Sequence, residues 1–445
     1  MTNLSTEILP MTLEFEQLPP EAIPLSPLQI NLAIELSSQV TDESKQWQTY
    51  LNALSLSAFE NWLESRGNSY HINREECTIF QPALANLIPA VANLKVGDFK
   101  VCLITPGSFI DEQVTIPRIV VDLPEYIPHF YILVEVLEEE EKAVIQGFLS
   151  YKELSARQQS VNLEPESDWT YELPLTWFCN EADRLLLYLR CLEPSAIPLP
   201  AIPTNRAQTL ELAKNELIEI LPQIKTKEIW EILSWNSAIA VLTCRELIDW
   251  IYNLQTLEIS TTSLQQHLSD IFKLITQPAI NVGRWLWNEL DDLAQGTWNL
   301  LPNIAPQPVM RSPVEEFTVI SSQLQQKGLE IPVQARGAYQ NLSLAGVPLR
   351  LYAATWHLLS ESEPNSWTLL LILGTPALEN LPHNLKLRVS DQTGILVEQE
   401  VNPELGNTYL FTRVVGNFDE KFLVTISLGD GVEMTLPSFA FDMSR

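Results

Sequence analysis

The chain has 445 residues, of which 46% are apolar, and its 27 Lys and Arg against 56 Asp and Glu give a net charge of −29. That apolar fraction is ample for packed cores, and at roughly 100–200 residues per domain the length predicts about two to four domains. The acidity excludes direct binding to nucleic acid or to an anionic membrane surface, because both depend on clustered Lys and Arg.

Three features of the sequence predict a cytoplasmic location. The N-terminus has neither the basic segment nor the continuous apolar segment of a secretory signal. The longest uncharged stretches, such as 232–244, run about a dozen residues, whereas a bilayer span needs roughly 20. The cysteines are odd in number and widely spaced, which is typical of reduced thiols buried in a cytosolic protein.

Residues 1–70 are predicted to form a helical segment. Ser26 is expected as an N-cap, with Pro27 in the first helical position and Gln29 completing a capping box. A second helix begins at about residue 41, since its apolar side chains recur at steps of three and four, and Gly67 is expected to end it. Two amphipathic helices so close together predict a hairpin, or helices that pack on the next domain.

Residues 71–193 change to the period of β-strands. The predicted strands are 99–105, 114–123, 129–137 and 142–151, with the glutamates of 138–141 at a hairpin tip. Short strands at this spacing predict a small antiparallel barrel of the SH3-like kind, with an open sheet as the alternative. The segment 183–192 (DRLLLYLRCL) fits a strand or a buried helix, and we favour the strand.

Four prolines make 194–206 a stiff linker, and residues 207–301 are predicted to be entirely helical. Six of the twelve tryptophans fall in this second segment, which indicates a compact helical bundle filled by large aromatic side chains. Its last predicted helix contains Trp285-Leu286-Trp287 and the pair Asp291-Asp292, which we expect on the wet side of that helix.

Residues 302–330 are predicted to be a linker followed by a helix, whose capping box is formed by Ser312 and Glu315. In 331–445 about seven short strands follow one another, a pattern typical of an immunoglobulin-like β-sandwich. The predicted strands are 347–356, 367–374, 385–390, 394–401, 409–415, 421–428 and 432–436. The fold class expected from the whole sequence is therefore α+β and multidomain.

Five strings of the sequence carry a resemblance to a known family. They are SLSAFENWLESRG (55–67), NEADRLLLYLRCLEP (180–194), NVGRWLWNELDDLAQGTWNLLP (281–302), GVPLRLYAATWHLL (346–359) and LKLRVSDQTGILVEQEV (385–401). They resemble a cyanobacterial family catalogued as a domain of unknown function, number 1822, over nearly the whole chain. The resemblance implies a cyanobacterial source and a link to regulation and signalling, but it implies no catalytic residues.

Motifs of known enzymes do not occur in the chain, which has no phosphate-binding loop, dinucleotide fingerprint, nucleophile elbow or H-E-x-x-H zinc motif. A Cys-His site would need an activated thiol, and nothing in the sequence marks His71 or its neighbour Cys77 as activated. The run 138–141 and the pair Asp291-Asp292 lack the spacing of a calcium loop. We therefore predict no catalytic residue, no cofactor and no metal ligand.

Arginines and tryptophans supply the candidate binding residues. The set Arg184, Arg190, Arg284, Arg350 and Arg388 stands among apolar residues, where internal ion pairs are favoured over binding to an anionic partner. Trp285 and Trp287 point to different faces of their predicted helix, so either both faces are covered, which we favour, or one indole contacts another domain or protein. Because Trp and Arg are typical of interface hot spots, Trp287 and Arg284 are the candidate partner-binding residues.

The function that the sequence favours is a non-catalytic, cytoplasmic scaffold that binds other proteins and regulates them. The expected partner is a protein with a basic or mixed surface, and neither nucleic acid nor a membrane is expected. The alternative is an unrecognised hydrolase-type enzyme with a carboxylate or Cys-His site between domains.

Overall fold

The computed structural model describes residues 21–67, 70–107, 112–204, 207–256, 264–302, 312–358, 365–376, 379–402, 407–429 and 431–443. The chain divides into two compact units, each of which contains helices and sheets. The first unit is Met1–Asn205 with Thr226–Trp235, and the second is Arg206–Lys225 with Asn236–Arg445.

Helices and strands alternate irregularly up to residue 204. They are β1 (Ile23–Pro24), α1 (Pro27–Ser37), α2 (Glu43–Ser65), β2 (Ile72–Asn73), α3 (Pro82–Leu87), β3 (Ala92–Val96), β4 (Phe99–Ile104), β5 (Gln113–Pro117), α4 (Ile119–Asp122), β6 (Phe130–Leu137), β7 (Lys142–Ser150), α5 (Tyr151–Val161), β8 (Thr170–Pro174) and α6 (Ala182–Cys191), with 3-10 helices at Thr78–Phe80, Leu175–Trp177 and Pro194–Ala196. The predicted capping box of α1 is confirmed, since the Ser26 hydroxyl accepts from the Gln29 amide.

One six-stranded sheet organises the first unit. Its order is β1-β7-β6-β4-β3-β2, and its neighbours are antiparallel except for β4 and β6, which run parallel. The prediction of a purely antiparallel barrel is therefore wrong, because the two central strands pair in parallel. The segment 105–129 between these two strands is long enough for the crossover that a parallel pair needs. Strands β5 and β8 form a separate antiparallel pair.

The core of the first unit lies between this sheet and α2. Phe59 and Trp62 of α2 belong to the same buried cluster as Val101, Phe130 and Ile132 of the two parallel strands. Residues Thr226–Trp235, which include α8 (Ile229–Ile232), also belong to this unit. There the Trp235 ring packs edge-on against Trp169, with ring centroids 5.3 Å apart.

The segment 183–192 forms helix α6, so the strand that we favoured is wrong. Leu185 and Leu189, one helical turn apart, are buried, whereas Leu187 between them is exposed. That burial follows the helical period and not the alternation of a strand. Acidic Asp183 in the first turn also complements the helix dipole.

The predicted strand 114–123 is also partly wrong, because only its first part is a strand. Strand β5 ends at Pro117, and the chain then turns into the short helix α4. Proline has no amide hydrogen for further pairing, and Arg118 forms an ion pair with Asp122 one helical turn later.

Beyond residue 206, the described residues form mainly helices up to Thr276 and mainly strands after it. The elements are α7 (Ala207–Ile220), α8, α9 (Trp235–Leu242), α10 (Arg245–Thr256), α11 (Leu264–Thr276), β9 (Ile280–Asn281), β10 (Asn299–Leu300), α12 (Pro313–Gln326), β11 (Arg336–Leu344), β12 (Val347–Leu358), β13 (Ser366–Gly374), β14 (Leu385–Asp391), β15 (Gly394–Glu400), β16 (Tyr409–Asn417), β17 (Leu423–Leu428), β18 (Val432–Thr435) and β19 (Phe439–Ala440), with a 3-10 helix at Val282–Trp287. The predicted capping box of Ser312 and Glu315 begins α12 and is confirmed.

Two antiparallel sheets share one core in the second unit. Their orders are β10-β11-β12-β13-β16 and β15-β14-β17-β18. The central strand β13 is buried on both faces, because Leu369 and Leu371 join the core between the sheets while Leu370 and Ile372 pack under Phe317 of α12. Strand β11 was not predicted, since its sequence RGAYQNLSL has several polar residues and exposed positions.

The predicted helix over the end of 207–301 is wrong. Val282–Trp287 forms only a short 3-10 helix, and Asn288 follows it with a left-handed φ of 59°. The leucines at positions 286, 290 and 293 had suggested helical spacing, but they are partly buried against the core between the sheets. Their spacing therefore reflects packing of an irregular segment on a sheet.

Candidate functional site

The side chains of Asn281 and Asp291 fix the segment that carries the candidate partner-binding residues. Asn281 Oδ1 accepts from the Gly283 and Asp442 amides, and Asp291 Oδ2 accepts from the Asn281 amide at 2.7 Å. Asp291 Oδ1 also accepts from the Ala294 amide at 2.9 Å. The expectation that Asp291 lies on the wet side of a helix is therefore wrong, because both of its oxygens bind the backbone.

Trp285 and Trp287 lie in different environments. The Trp285 indole is fully buried, and its ring centroid lies 5.5 Å from that of Trp298. The Trp287 side chain is 47% exposed, and Arg284 nearby is half-buried. The arrangement that we favoured, with both indoles covered, is therefore wrong, and Trp287 forms part of the surface of the second unit.

Gly283 allows this segment to approach the backbone that follows β19. A Cβ at this position would overlap the carbonyl oxygen of Asp442, so a larger side chain would have to move the backbone. The short 3-10 helix is thus held against its neighbours by one close contact and by the hydrogen bonds of Asn281. Trp287 is presented from a well-supported backbone.

The arginines of the predicted set divide between internal partners and other positions. Arg350 forms an ion pair with Glu316, and Arg388 forms one with the buried Asp270, as the favoured interpretation predicted. Arg184 instead lies over the Tyr188 ring, with its guanidinium carbon 5.4 Å from the centroid.

The cysteines that the structure buries have the properties of unreactive thiols. Burial raises the pKa of Cys77 to about 12 and that of Cys244 to about 12, and it raises the pKa of Cys102 further. Cys77 Sγ lies 3.8 Å from the Val91 carbonyl oxygen. Thiolate, the nucleophilic form, is therefore scarce at neutral pH in these three side chains.

Acidic residues do not form a metal centre in the part of the chain that the structure describes, where no group of three or more His, Cys, Asp or Glu could hold an ion. The glutamates of 138–141 form the exposed turn between β6 and β7, where they were predicted. No described helix has the length and apolar character that crossing a bilayer requires.

A pocket of about 230 Å³ lies in the first unit, and nothing in the sequence had indicated it. Its walls are the first turns of α2, the segment that precedes β3, the end of β4 and the β5–β8 pair. Lys45 and Asn52 of α2 and Thr105 after β4 line it, and each is more than nine-tenths buried. Sequence reasoning could not find this pocket, because its walls come from segments far apart in the chain.

Lys45 is a buried cation with identified partners. Its Nζ donates to the Asn86 carbonyl oxygen at 3.0 Å and to Glu228 Oε2 at 2.6 Å, and it lies 4.8 Å from the centroid of the Trp230 ring. Burying an ammonium group is tolerated where such acceptors replace water. The wall of the pocket formed by Lys45 is thus close to neutral.

Comparison with protein families decides where this chain belongs. The family described as "Protein of unknown function (DUF1822)" matches residues 23–436, which is nearly the whole chain. The chain belongs to the DUF1822 family. The resemblance carried by the five strings is thereby confirmed at the level of the family. No curated protein and no solved structure matches this DUF1822 protein.

Proposed function

We propose that this DUF1822 protein is a non-catalytic scaffold of the cyanobacterial cytoplasm that binds and regulates other proteins. The observation that carries the proposal is the exposure of the Trp287 indole, beside a Trp285 that is fully buried. A large exposed aromatic side chain next to an arginine is typical of the residues that dominate protein interfaces. Arg284 supplies that arginine from the same short 3-10 helix.

The charge of the chain supports a protein partner with a basic or mixed surface. A net charge of −29 attracts cationic surfaces and accelerates their association. Arg284 would meet an acidic group on a mixed surface, and Trp287 would enter an apolar pocket of the partner. The proposal further includes an immunoglobulin-like arrangement of the strands in 331–445, although fold analogy alone does not decide function.

The test begins with affinity capture from a cyanobacterial lysate, followed by a binding measurement on the purified partner. We expect Trp287→Ala to weaken that binding about 30-fold or more, as hot-spot residues do, with an unchanged Tm. The matched control is Trp47→Ala, since Trp47 is 49% exposed and lies in the first unit. Equal binding by wild type and Trp287→Ala would refute the assignment of this surface.

Arg284→Ala separates an interface role from a structural role. In an interface we expect it to weaken binding of the same partner while the midpoint of urea unfolding stays unchanged. A fall in the unfolding midpoint of Arg284→Ala, with binding restored once the variant is folded at low temperature, would assign Arg284 to the fold instead.

The alternative function, a hydrolase with a carboxylate or Cys-His site between domains, is less well supported. Burial raises the pKa of Cys77, Cys102 and Cys244, which disfavours each of them as a nucleophile. Hydrolysis of ester, peptide or glycoside substrates by the purified chain, lost in a single-residue variant, would favour this alternative over the scaffold.

A further inference from the structure

The pocket beside α2 has a polar floor that is incomplete. Thr105 is only 4% exposed and lines the pocket, but its Oγ1 has no hydrogen-bond partner among the described residues. The Thr105 backbone is fixed, since its carbonyl oxygen accepts from Gln48 Nε2 at 2.8 Å. Buried hydroxyls in proteins are almost always paired, and because this one is enclosed, a ligand in the pocket would pair with it once the Thr105 side chain turns about χ1.

The other polar side chains of the floor are already satisfied. Asn52 Nδ2 donates to the Ala90 carbonyl oxygen at 2.6 Å, and its Oδ1 accepts from Gln48 Nε2 at 3.2 Å. Lys45 donates to Asn86 and Glu228, so its charge is compensated. The Thr105 hydroxyl is therefore the group of the floor that a ligand would engage.

The rim of the pocket contributes a carboxylate. Asp168 lines the pocket and is exposed, and its Oδ1 accepts from Thr170 Oγ1 at 2.6 Å. In the part of the chain that the structure describes, no Lys or Arg forms an ion pair with Asp168. Because Lys45 is neutralised by Glu228, Asp168 is the uncompensated charge of the lining, and the acidity of the whole chain adds to its attraction for cations.

Six apolar residues line the pocket beside its polar residues, which also include Ser44, Gln48, Thr115 and Thr170. The apolar residues are Pro89, Ala90, Val91, Leu103, Ile104 and Pro117. The volume of about 230 Å³ corresponds to about eight waters at roughly 30 Å³ each, which suits a ligand of similar size. Such a ligand needs an apolar body between its two polar ends.

We propose that this pocket binds a small amphipathic organic cation, with its ammonium group at Asp168, its apolar body against the prolines and aliphatic side chains, and a hydroxyl or amide at Thr105. The site is independent of the Trp287 surface, which belongs to the second unit. Failure of either proposal therefore leaves the other standing.

The test uses three probes of similar length: 5-amino-1-pentanol, 1-pentanol and 5-hydroxypentanoate. Binding to the full chain is measured by calorimetry and by saturation-transfer NMR at about 0.15 M salt, which screens the long-range field of the protein. We expect the amino alcohol to bind about tenfold more tightly than 1-pentanol, because its ammonium group gains a charge-assisted hydrogen bond. The carboxylate probe is expected to bind most weakly.

Two variants locate the bound probe. Asp168→Asn should remove the preference for the amino alcohol, whereas Asp98→Asn, an exposed carboxylate elsewhere in the same unit, should leave it unchanged. Thr105→Val should weaken the amino alcohol and 1-pentanol alike, by about fivefold, without lowering Tm, because it removes an unpaired hydroxyl.

Three results would overturn the proposal. One is that 5-hydroxypentanoate binds as tightly as 5-amino-1-pentanol, or more tightly. Another is a preference for the amine that survives Asp168→Asn, which would assign it to the general acidity of the chain. The third is the absence of binding by any probe, which would mean that a water molecule satisfies Thr105.

Discussion

Each unit contains a buried charged side chain, but the two differ in how they are enclosed. Asp270 of α11 is sealed against strand β14, and its carboxylate is surrounded by donors on both oxygens. They are Arg388 Nη2 at 3.2 Å, Ser390 Oγ at 3.3 Å, Gln266 Nε2 at 3.2 Å and Lys273 Nζ at 3.7 Å. Lys45 lies instead on the wall of a pocket, and its partner Glu228 is 37% exposed. The charge of Asp270 is enclosed by the fold, whereas Lys45 lines the pocket that we propose as a binding site.

The largest expected effect comes from removing the enclosed charge. Asp270→Ala leaves Arg388 largely buried without its carboxylate, and breaking such a pair costs about 3–5 kcal/mol of the free energy of unfolding. Urea unfolding measures this loss. Asp292→Ala, an exposed acid in the same unit, is the control and should change stability by less than about 0.5 kcal/mol. A similar small change for Asp270→Ala would show that the cluster is not a single network.

Removing the charge beside the pocket should have a smaller effect. Lys45→Ala leaves Glu228 without its cation, but that carboxylate is partly exposed and regains water, so we expect a loss of about 1–3 kcal/mol. Lys45→Met keeps an apolar stem over Trp230 and should lose less than Lys45→Ala. If Lys45→Ala were as costly as Asp270→Ala, the distinction between the two charges would be wrong.

The smallest expected effect is a dependence on pH that one histidine in each unit contributes. Burial lowers the pKa of His267 in the second unit and of His129 in the first. Below about pH 6.5 the unfolded chain therefore binds protons that the native state does not, and the free energy of unfolding falls as the pH is lowered.

The measurement is urea unfolding at pH 7.5 and pH 5.5 for wild type, His267→Gln and His129→Gln. Each variant should lose less stability on acidification than wild type does, by about 1 kcal/mol or less. If both variants lose as much free energy of unfolding between pH 7.5 and pH 5.5 as wild type does, the acid sensitivity belongs to carboxylates.

Local signals in the sequence predicted the ends of several elements. The capping boxes at Ser26 and Ser312 are complete within four residues, so they are visible without any knowledge of the fold. By contrast, the leucine-rich segment 183–192 fits either period until its packing partner is known. The parallel pairing of β4 with β6 joins segments distant in sequence, which no local pattern reveals.

The candidate sites depend even more on distant partners. Adjacent indoles at 285 and 287 must point apart, but Trp298 and Phe439 decide which of them is buried. In the pocket, Lys45 meets Glu228 across a long stretch of chain, and Thr105 has no feature in the sequence that marks its hydroxyl. The sequence predicted that arginines such as Arg350 and Arg388 form internal ion pairs, but it did not identify their partners Glu316 and Asp270.

The segment Thr226–Trp235 belongs to the first unit although it follows α7 in the chain, and this has a consequence for synthesis of the protein. This segment supplies Glu228 and Trp230 to Lys45, and Trp235 to Trp169 and Arg118. A nascent chain that has emerged from the ribosome only to residue 205 therefore lacks part of its first unit. The missing segment, Thr226–Trp235, leaves the exit tunnel only after α7 has done so. Chaperones that bind exposed apolar surface during translation would thus bind this chain after its first 205 residues have been synthesised.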